Sequence, residues 1–297
     1  MGEHPGGPDS AQRTGILLLD KPVGPTSREL LDELEQRLVV GSLGHAGTLD
    51  PLASGLLLGL SGRARRLQEF FIDREKTYHA RVRFGETSPT LDGEGPLEPG
   101  GTPAPMTEQQ SRELLSRFEG KILQVPPAFS ALRLDGRRAH RIARDGRPVD
   151  LAPRAVTIHG IVLTAIEDRD WLLEVTCGGG VYVRSLARDL GEARGCGAYL
   201  AALRRVRSGS IRVEDAISAG DAGSKDIRPL AEVLDLEPRI DVTRAEAATL
   251  FRGNVIAREQ TGVGPRFAWF RDRPCFKLLA PSPGLLRSDL LLDDVRL

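Results

Sequence analysis

The chain has 297 residues, and its 41 Lys and Arg balance its 41 Asp and Glu, so no overall charge attracts a polyanionic partner. Its three cysteines are too scattered for a disulfide framework or a structural zinc site, and its longest apolar run, Leu56 to Leu60, is far shorter than the ~20 residues of a membrane span. We therefore expect a soluble, cytoplasmic protein without a bound metal, in which any nucleic-acid site is local.

The N-terminal elements are expected to be a tail, a strand and a helix. Residues 1–13 are rich in Gly and Pro and lack an apolar stretch, which predicts a disordered tail and no signal peptide. Gly15 to Asp20 is an aliphatic run stopped by Lys21-Pro22, as is typical of a buried strand. Thr26 and Glu29 have capping-box spacing before a leucine-rich face, which predicts a helix.

The segments that follow alternate between functional and structural patterns. Gly41 to Gly55 is punctuated by glycine and polar at its centre, so we predict a functional loop. Apolar and basic residues alternate from Tyr78 to Phe84, which predicts a half-buried strand. Residues 86–105, rich in Gly, Pro and acid, are expected to be a long connection, and Thr107 to Phe118 a helix.

Strand and helix patterns continue to the end of the chain, with an acidic linker around Leu236 to Asp241. The pattern predicts an α+β protein: a catalytic domain over residues 14–238, with a central mixed or antiparallel sheet flanked by helices and loops, and a small β-rich domain over 239–297. The remaining predicted elements are strands at Val156–Thr164, Trp171–Cys177 and Arg266–Phe270 and helices at Val183–Ala193 and Arg244–Phe251.

The stretch most informative about chemistry is GHAGTLDPLASG, from Gly44 to Gly55. Its glycines let the backbone approach a ligand closely, and Pro51 fixes the chain just after the acid, so Asp50 is presented on a stiff loop. An isolated Asp-Pro pair among glycines is more often an ordinary turn than a catalytic site. The whole string from Gly44 to Gly55, however, favours a catalytic site at Asp50 over an ordinary turn.

This string resembles the catalytic motif of the TruB-type tRNA pseudouridine synthases, in which it surrounds one essential aspartate. Upstream, Gly15 to Gly24 is similar to the family's first motif, whose Lys-Pro pair, here Lys21-Pro22, buttresses the active-site loop. Downstream, Tyr78 in Lys-Thr-Tyr resembles the tyrosine that packs on the target base, and Arg184 in Tyr-Val-Arg resembles the arginine that pairs with the aspartate. Leu203, in Leu-Arg-Arg, matches the leucine that lines the base pocket.

The resemblance implies isomerisation of uridine to pseudouridine at position 55 in the T loop of tRNA. It also implies the pseudouridine-synthase fold with a PUA-like C-terminal domain, the tRNA T arm as partner, no cofactor and no metal, and we expect a monomer. One departure stands out. Many members have Ser-Lys-Gly where this chain has Gly178-Gly179-Gly180, so a phosphate contact is expected to be weaker.

Residue chemistry supports these roles. Arg184 beside Asp50 would keep the carboxylate ionised, although taken alone it would more often be a surface helix salt bridge. Tyr78 could stack on an extruded base and relay the C5 proton, although taken alone it would more often be a core residue; Tyr182 could support the same pocket or equally be core. His45 could fill the position vacated by a flipped base, although a single histidine is usually structural. Whether the carboxylate attacks the ribose, attacks the ring or removes a sugar proton stays open.

RNA binding requires local positive charge, which three basic clusters offer. The middle cluster lies in residues 126–150, a segment that resembles the family's mobile thumb, although charge runs are usually solvated helix faces. Its candidate RNA-binding residues are Arg137, Arg138, Arg141 and Arg144, and the flanking clusters are Arg63, Arg65 and Arg66 and then Arg204, Arg205 and Arg207.

Two other functions remain open. A glycosidase-like hydrolase would normally need a second carboxylic acid as proton donor, and no such acid lies inside the motifs. A non-catalytic RNA-binding or tRNA-folding protein could share the scaffold, although Asp50, Tyr78 and Arg184 are all retained.

Overall fold

The computed structural model describes residues 14–38, 40–130, 132–134, 136–147, 149–233, 239–258, 266–282 and 284–292. The predicted tail and the first half of the predicted linker, residues 236–238, lie outside these ranges. The helices are α1 (Ser27–Leu38), α2 (Gln68–Ile72), α3 (Glu108–Ser116), α4 (Ala139–Arg144), α5 (Val183–Ala193), α6 (Leu230–Val233) and α7 (Arg244–Phe251). The strands are β1 (Gly15–Lys21), β2 (Leu43–Ala46), β3 (Ala53–Ser61), β4 (Lys76–Phe84), β5 (Glu86–Thr87), β6 (Glu98–Pro99), β7 (Gly120–Gln124), β8 (Arg133–Leu134), β9 (Arg137–Arg138), β10 (Arg154–Glu167), β11 (Asp170–Cys177), β12 (Ala198–Ser208), β13 (Ile211–Arg212), β14 (Ile217–Ser218), β15 (Arg239–Asp241), β16 (Val255–Ala257), β17 (Arg266–Phe270), β18 (Arg273–Ser282) and β19 (Leu285–Leu291).

A ten-stranded sheet forms the centre of the larger unit. Its strand order is β14-β1-β3-β12-β4-β11-β10-β7, with β2 paired to β3 and β13 to β12. The β1–β14 and β3–β12 pairs are parallel, and the other pairs are antiparallel. The predicted α+β class with a mixed sheet is confirmed.

The helices cover the sheet with the faces that their sequences predict. In α1, Thr26 and Glu29 exchange the two hydrogen bonds of a capping box, at 2.8 and 3.1 Å, and Leu30, Leu31 and Leu34 are buried. The apolar face of α5 is likewise buried in the main core. None of the described helices is long and apolar enough to cross a membrane.

The C-terminal sheet has the order β15-β17-β18-β19-β16. Phe267 and Trp269 on β17 and Leu292 join a core cluster with Ile16 and Leu18 on β1, so the small sheet packs against the large unit. The predicted β-rich C-terminal part is confirmed. The domain boundary near residue 238 and the PUA-like assignment stay predictions.

One prediction about the centre of the sheet is wrong, and one of its strands was not predicted. The segment Gly41 to Gly55 is not one loop, because it contains β2 and the first residues of β3, and its Leu49 is buried. The sequence analysis also missed β12, whose basic residues obscure a strand that lies between β3 and β4.

Candidate active site

Residues 47–52 connect β2 to β3 and form the loop that carries Asp50. The hydroxyl of Ser27, at the start of α1, accepts a hydrogen bond from Leu49 N at 2.9 Å and donates one to Leu49 O at 3.0 Å. Gly24 N donates to Pro51 O at 2.9 Å, which ties the turn after Lys21-Pro22 to the loop. Three hydrogen bonds from two residues, Ser27 and Gly24, therefore hold the loop at Leu49 and Pro51.

Arg205 on β12 fastens both ends of this loop. Its guanidinium is buried and donates to Leu56 O at 2.7 Å and Gly47 O at 3.0 Å. A Cβ added at Gly55 would lie 2.3 Å from Arg205 O, so only glycine permits the close pairing of β3 with β12 there. The sequence analysis had placed Arg205 in an RNA-binding cluster, but the side chain is structural.

The same correction applies to the rest of that cluster. Arg204 forms a two-pronged ion pair with Asp20 at 2.9 and 2.7 Å, and Arg207 pairs with Glu75 at 2.6 Å. Because their charges are already neutralised by carboxylates, these arginines do not form a free basic patch.

Asp50 is paired with Arg184, as the sequence predicted. Arg184 lies in the first turn of α5, one residue beyond the start of the helix, and its Nε is 2.9 Å from Asp50 Oδ2. The Arg184 side chain is only 6% exposed, whereas that of Asp50 is 36% exposed. Arg184 is therefore no surface salt bridge, and the carboxylate it holds remains accessible from the cavity beside it.

The other nitrogens of Arg184 contact two segments that sequence analysis did not connect with the site. Nη1 donates to Thr90 O at 3.1 Å and to Asp92 Oδ2 at 3.2 Å, and Nη2 donates to Phe129 O at 2.9 Å. Phe129 lies in the segment with the thumb resemblance. One guanidinium thus joins the catalytic loop, the 86–105 connection and the base of that segment.

Asp92 is the functional candidate that sequence analysis missed. It is buried, and its Oδ1 accepts from Thr90 Oγ1 at 2.6 Å and Glu94 N at 3.1 Å while Oδ2 faces Arg184. It stands in an irregular acidic connection, where no local pattern distinguishes it from a solvated turn residue. What marks Asp92 as a functional candidate is its contact with Arg184, which is 92 residues away in sequence.

Desolvation raises the pKa of Asp50 above its usual range, and the positive charge of Arg184 opposes this rise. The nearby charge of Asp92 adds to the increase, and that of Lys21 opposes it. The expected effect of Arg184 on the carboxylate is present, but burial has the larger influence on the pKa.

A cavity of about 260 Å³ opens beside Asp50 and brings most of the predicted site residues together. Tyr78, Tyr182 and Leu203 line it with Asp50 and Arg184. Tyr78 is 8% exposed, and burial raises the pKa of its phenol, which keeps the hydroxyl protonated. The wall combines flat apolar surfaces with one carboxylate and three basic side chains, which suits a planar heterocycle attached to a sugar.

Three predicted site residues, Lys21, Pro22 and His45, are not among those that line this cavity. Lys21 is fully buried, its Nζ donates to Pro22 O at 2.8 Å, and burial lowers its pKa. Lys21 therefore supports the turn under the loop, while Pro22 is exposed. His45 lines a neighbouring cavity with four arginines.

The thumb-like segment contains the short strands β8 and β9 and helix α4. Arg137 and Arg141 are exposed, and Arg137 forms an ion pair with Asp145 at 3.1 Å. The side chains of Arg138 and Arg144 are outside the described part of the structure. Among the residues of this segment that the structure describes, Ser130 alone lines the catalytic cavity.

The three glycines Gly178-Gly179-Gly180, which replace the Ser-Lys-Gly of many family members, have a local structural reason. A Cβ at Gly179 would lie 2.7 Å from Ile72 O, so the backbone approaches the end of α2 too closely for a side chain. A lysine at this position would require the turn to move.

Comparison with known proteins identifies the family. The family models described as TruB family pseudouridylate synthase (N terminal domain) and tRNA pseudouridylate synthase B C-terminal domain match residues 36–183 and 184–222. The tRNA pseudouridine synthase B of Azoarcus sp. (strain BH72) is 38% identical over 257 residues, which cover 84% of this chain and 85% of that protein. That of Aquifex aeolicus (strain VF5) is 37% identical over 251 residues, covering 82% and 86%.

Solved structures show the same fold at lower identity. The crystal structure of a Cbf5-Nop10-Gar1 complex contains a chain with a TM-score of 0.72 and 24% identity, covering 94% of this chain and 85% of that one. A chain of an H/ACA RNP bound to a substrate RNA gives 0.71 and 23%, covering 95% and 86%. The chain described here belongs to the TruB family of pseudouridine synthases.

Proposed function

We propose that this protein isomerises uridine to pseudouridine in the T loop of tRNA, at position 55, with Asp50 as the catalytic carboxylate. The observation that carries the proposal is the contact between Asp50 and the buried Arg184 in a cavity that is also lined by Tyr78, Tyr182 and Leu203. The relatives named tRNA pseudouridine synthase B support tRNA as the substrate.

The reaction breaks the C1′–N1 bond, rotates the uracil and joins C1′ to C5; C5 loses its proton and N1 gains one, so the nucleoside keeps its formula. Nothing is oxidised and no group is added, so this chemistry needs no cofactor. Asp50 supplies the carboxylate, either as a nucleophile or as a base for a sugar proton. Arg184 orients it through Oδ2, and Tyr78 with Leu203 packs on the extruded base.

The target base is stacked in a folded loop, so it must be everted into the cavity at a cost of a few kcal/mol. We propose that the thumb-like segment closes on the T arm and helps to offset this cost. Phe129 O, at the base of that segment, accepts a hydrogen bond from Arg184, which also contacts Asp50. Movement of the segment would therefore change the contact between Arg184 and Asp50. The protein would act as a monomer in the cytoplasm.

Asp92 does not favour the hydrolase alternative. A glycosidase needs a second carboxyl group facing the scissile bond, but Asp92 is buried, is not among the residues that line the cavity and already accepts three hydrogen bonds. It acts on Arg184 and not on a substrate.

A nucleotide-resolution map of pseudouridine tests the proposal. Purified protein is incubated with an unmodified tRNA transcript, and the new pseudouridines are located. We expect one, in the T loop at position 55. A product at another position would overturn the site assignment, and tight tRNA binding without any product would favour the non-catalytic alternative.

Asp92→Asn should slow the isomerisation without unfolding the protein. The amide can still accept from Thr90 and Glu94, but it loses the charge that faces Arg184. Loss of a charged hydrogen bond of about 1.5–3 kcal/mol predicts a roughly tenfold to hundredfold decrease in kcat with little change in KM. Asp189→Asn, which alters a carboxylate paired with the neighbouring Arg188 on α5, is the matched control. Equal rates for the two variants would refute the role of Asp92.

The double variant Arg137→Gln/Arg141→Gln should weaken tRNA binding more than it slows chemistry. Both side chains are exposed, so the fold should be unaffected. Each lost phosphate contact should lower the slope of log affinity against log salt by about 1, while the single-turnover rate at saturating tRNA stays within about twofold. Arg112→Gln, an exposed arginine on α3, serves as control. An unchanged affinity for tRNA at moderate salt would count against RNA binding by the thumb-like segment.

A further inference from the structure

The catalytic cavity contains two buried cations to which the reaction scheme above assigns no task. Lys76, the first residue of β4, is 5% exposed, and Arg205 on β12 is 1% exposed; both line the cavity. Within the described ranges both donate to backbone carbonyls, and neither forms an ion pair with a carboxylate. Burial of a cation without an opposite charge is unfavourable, so two such residues beside one cavity point to a function there.

Lys76 is held in a fixed position at the end of α2. Its Nζ donates to Ile72 O and Arg74 O at 2.6 Å each and to Phe71 O at 3.4 Å. Three acceptors match the three N–H bonds of an ammonium group. These carbonyls orient the amine but leave its positive charge uncompensated.

Both cations lie against the catalytic loop. A Cβ added at Gly47, three residues before Asp50, would lie 3.5 Å from Lys76 Cε and 3.0 Å from Arg205 Nη1. Tyr78 is two residues beyond Lys76 on β4 and therefore on the same face of that strand. The two charges are thus close to the loop that carries the carboxylate and to the tyrosine to which we assign the base.

The charges around the cavity are unequal. The residues that line it include one carboxylate, Asp50, and three cations, Lys76, Arg184 and Arg205. Even when the buried Asp92 behind Arg184 is counted, three positive charges face two negative ones. A neutral uridine does not need this excess of positive charge, but an anionic form of its base would be stabilised by it.

Cleavage of the glycosidic bond creates such an anion. When the C1′–N1 bond breaks, its electron pair stays on the uracil and is shared by N1, O2 and O4. The charge disappears when a pair from the ring forms the C1′–C5 bond, after which the C5 proton leaves and N1 takes one up. Fixed charges placed where charge develops are a large source of rate acceleration in enzymes.

We propose that Lys76, together with Arg205, stabilises the uracil anion between cleavage of the C1′–N1 bond and formation of the C1′–C5 bond. The proposal rests on the proposed function, because it is glycosidic cleavage in this cavity that produces the anion. Since Arg205 also fastens the catalytic loop, Lys76 is the residue whose charge can be tested separately.

The charge of Lys76 can be titrated without a substitution. Burial and repulsion by Arg205 lower its pKa to about 8, whereas Cys177 and Asp73 act in the opposite direction. Burial raises the pKa of the Cys177 thiol to about 12 and that of the Tyr78 phenol above its usual range, so neither group titrates near pH 8. Lys76 is charged below its pKa, so the single-turnover rate should fall as the pH rises through about 8.

Two variants of Lys76 separate its charge from its hydrogen bonds. Lys76→Arg keeps the charge at high pH, so its rate should stay within about tenfold of the wild type at neutral pH, and the decrease near pH 8 should disappear. Lys76→Gln keeps a donor for the carbonyls but has no charge. Its single-turnover rate should fall by about 10²-fold with KM nearly unchanged, because uridine itself is neutral. Lys277→Gln, a partly buried lysine paired with Asp289 in the C-terminal sheet, is the control.

The comparison of wild type with Lys76→Arg decides the test even if Lys76→Gln does not fold. A decrease in rate at the same pH in both proteins would overturn the proposal, because the N3–H group of uridine or another residue would then be the group that titrates. A folded Lys76→Gln with a rate within about threefold of the wild type would overturn it as well.

The leaving group provides a readout that a purely structural role of Lys76 would not change. Fluorine at C5 withdraws electrons and stabilises the uracil anion, so cleavage needs less help from the protein. The decrease caused by Lys76→Gln should therefore be severalfold smaller with tRNA that carries 5-fluorouridine at position 55, measured as loss of 5-fluorouridine from the digested tRNA. Equal decreases with both substrates would contradict stabilisation of the anion.

The two proposals fail separately. Absence of pseudouridine with wild-type protein at every pH would refute the proposed function. Normal pseudouridine formation by the wild type, with the same pH profile in Lys76→Arg, would refute only the role of Lys76.

Discussion

Asp50→Asn is expected to abolish pseudouridine formation while leaving tRNA binding nearly intact. The amide is the same size and can accept a hydrogen bond through its oxygen, but it can act neither as a nucleophile nor as a base at the sugar. Removal of the group that performs the chemistry predicts a decrease of about 10⁴-fold or more in the single-turnover rate. The product is measured by nucleoside analysis of the digested tRNA.

Binding and folding controls separate the chemistry from the structure. The variant should bind tRNA within about threefold of the wild type, because the phosphate contacts that dominate affinity are untouched. Its thermal unfolding should remain cooperative, since the loop is held through Leu49, Pro51 and Gly47 and not through the Asp50 carboxylate. Residual activity within tenfold of the wild type would remove Asp50 from its role.

Arg184→Lys is expected to reduce the rate by about 10²-fold or more, although the positive charge is kept. A lysine ammonium cannot contact Asp50, Asp92 and Phe129 O together, as the planar guanidinium does. Arg184→Met also removes the positive charge and leaves the buried Asp92 without a cation. This loss should lower the free energy of unfolding by about 3–5 kcal/mol. The lysine variant is therefore the informative one for kinetics.

The pH dependence of the rate adds a readout that a purely structural role would not change. The charge of Arg184 lowers the pKa of Asp50, so its removal should raise that pKa further. Because the active form is the ionised carboxylate, the acidic limb of the rate profile should move to higher pH in Arg184→Met and less in Arg184→Lys. An acidic limb at the wild-type position in both variants would contradict the electrostatic role.

Local patterns were sufficient where structure depends on neighbours in sequence. The alternation from Tyr78 to Phe84 predicted β4, and the spacing of Thr26 and Glu29 predicted the start of α1. The string around Asp50 predicted a stiff loop, and its resemblance to a family predicted the contact with Arg184, which the structure shows at 2.9 Å. Their roles in catalysis stay predictions.

Residues whose environment is set by distant partners were not predicted. The strand β12 was missed because Arg204, Arg205 and Arg207 look like surface residues, yet Asp20, two backbone carbonyls and Glu75 neutralise or satisfy them across the sheet. Asp92 was missed for the same reason. Such buried polar contacts form between segments far apart in sequence, so no local periodicity marks them.

The contact of Arg184 with Phe129 suggests how docking and chemistry are linked in this enzyme. The guanidinium holds the catalytic carboxylate on one side and the base of the thumb-like segment on the other. We expect any displacement of that segment on RNA binding to move Arg184 and thereby to change its contact with Asp50.

The most direct test is tritium release from tRNA labelled at C5 of uridine, with a metal chelator present and enzyme in excess. We expect the wild type to release one equivalent per tRNA, from the uridine at position 55, with the nucleoside unchanged in mass apart from the isotope, and we expect Asp50→Asn to release none. Comparable release by Asp50→Asn, or none by the wild type, would contradict this expectation.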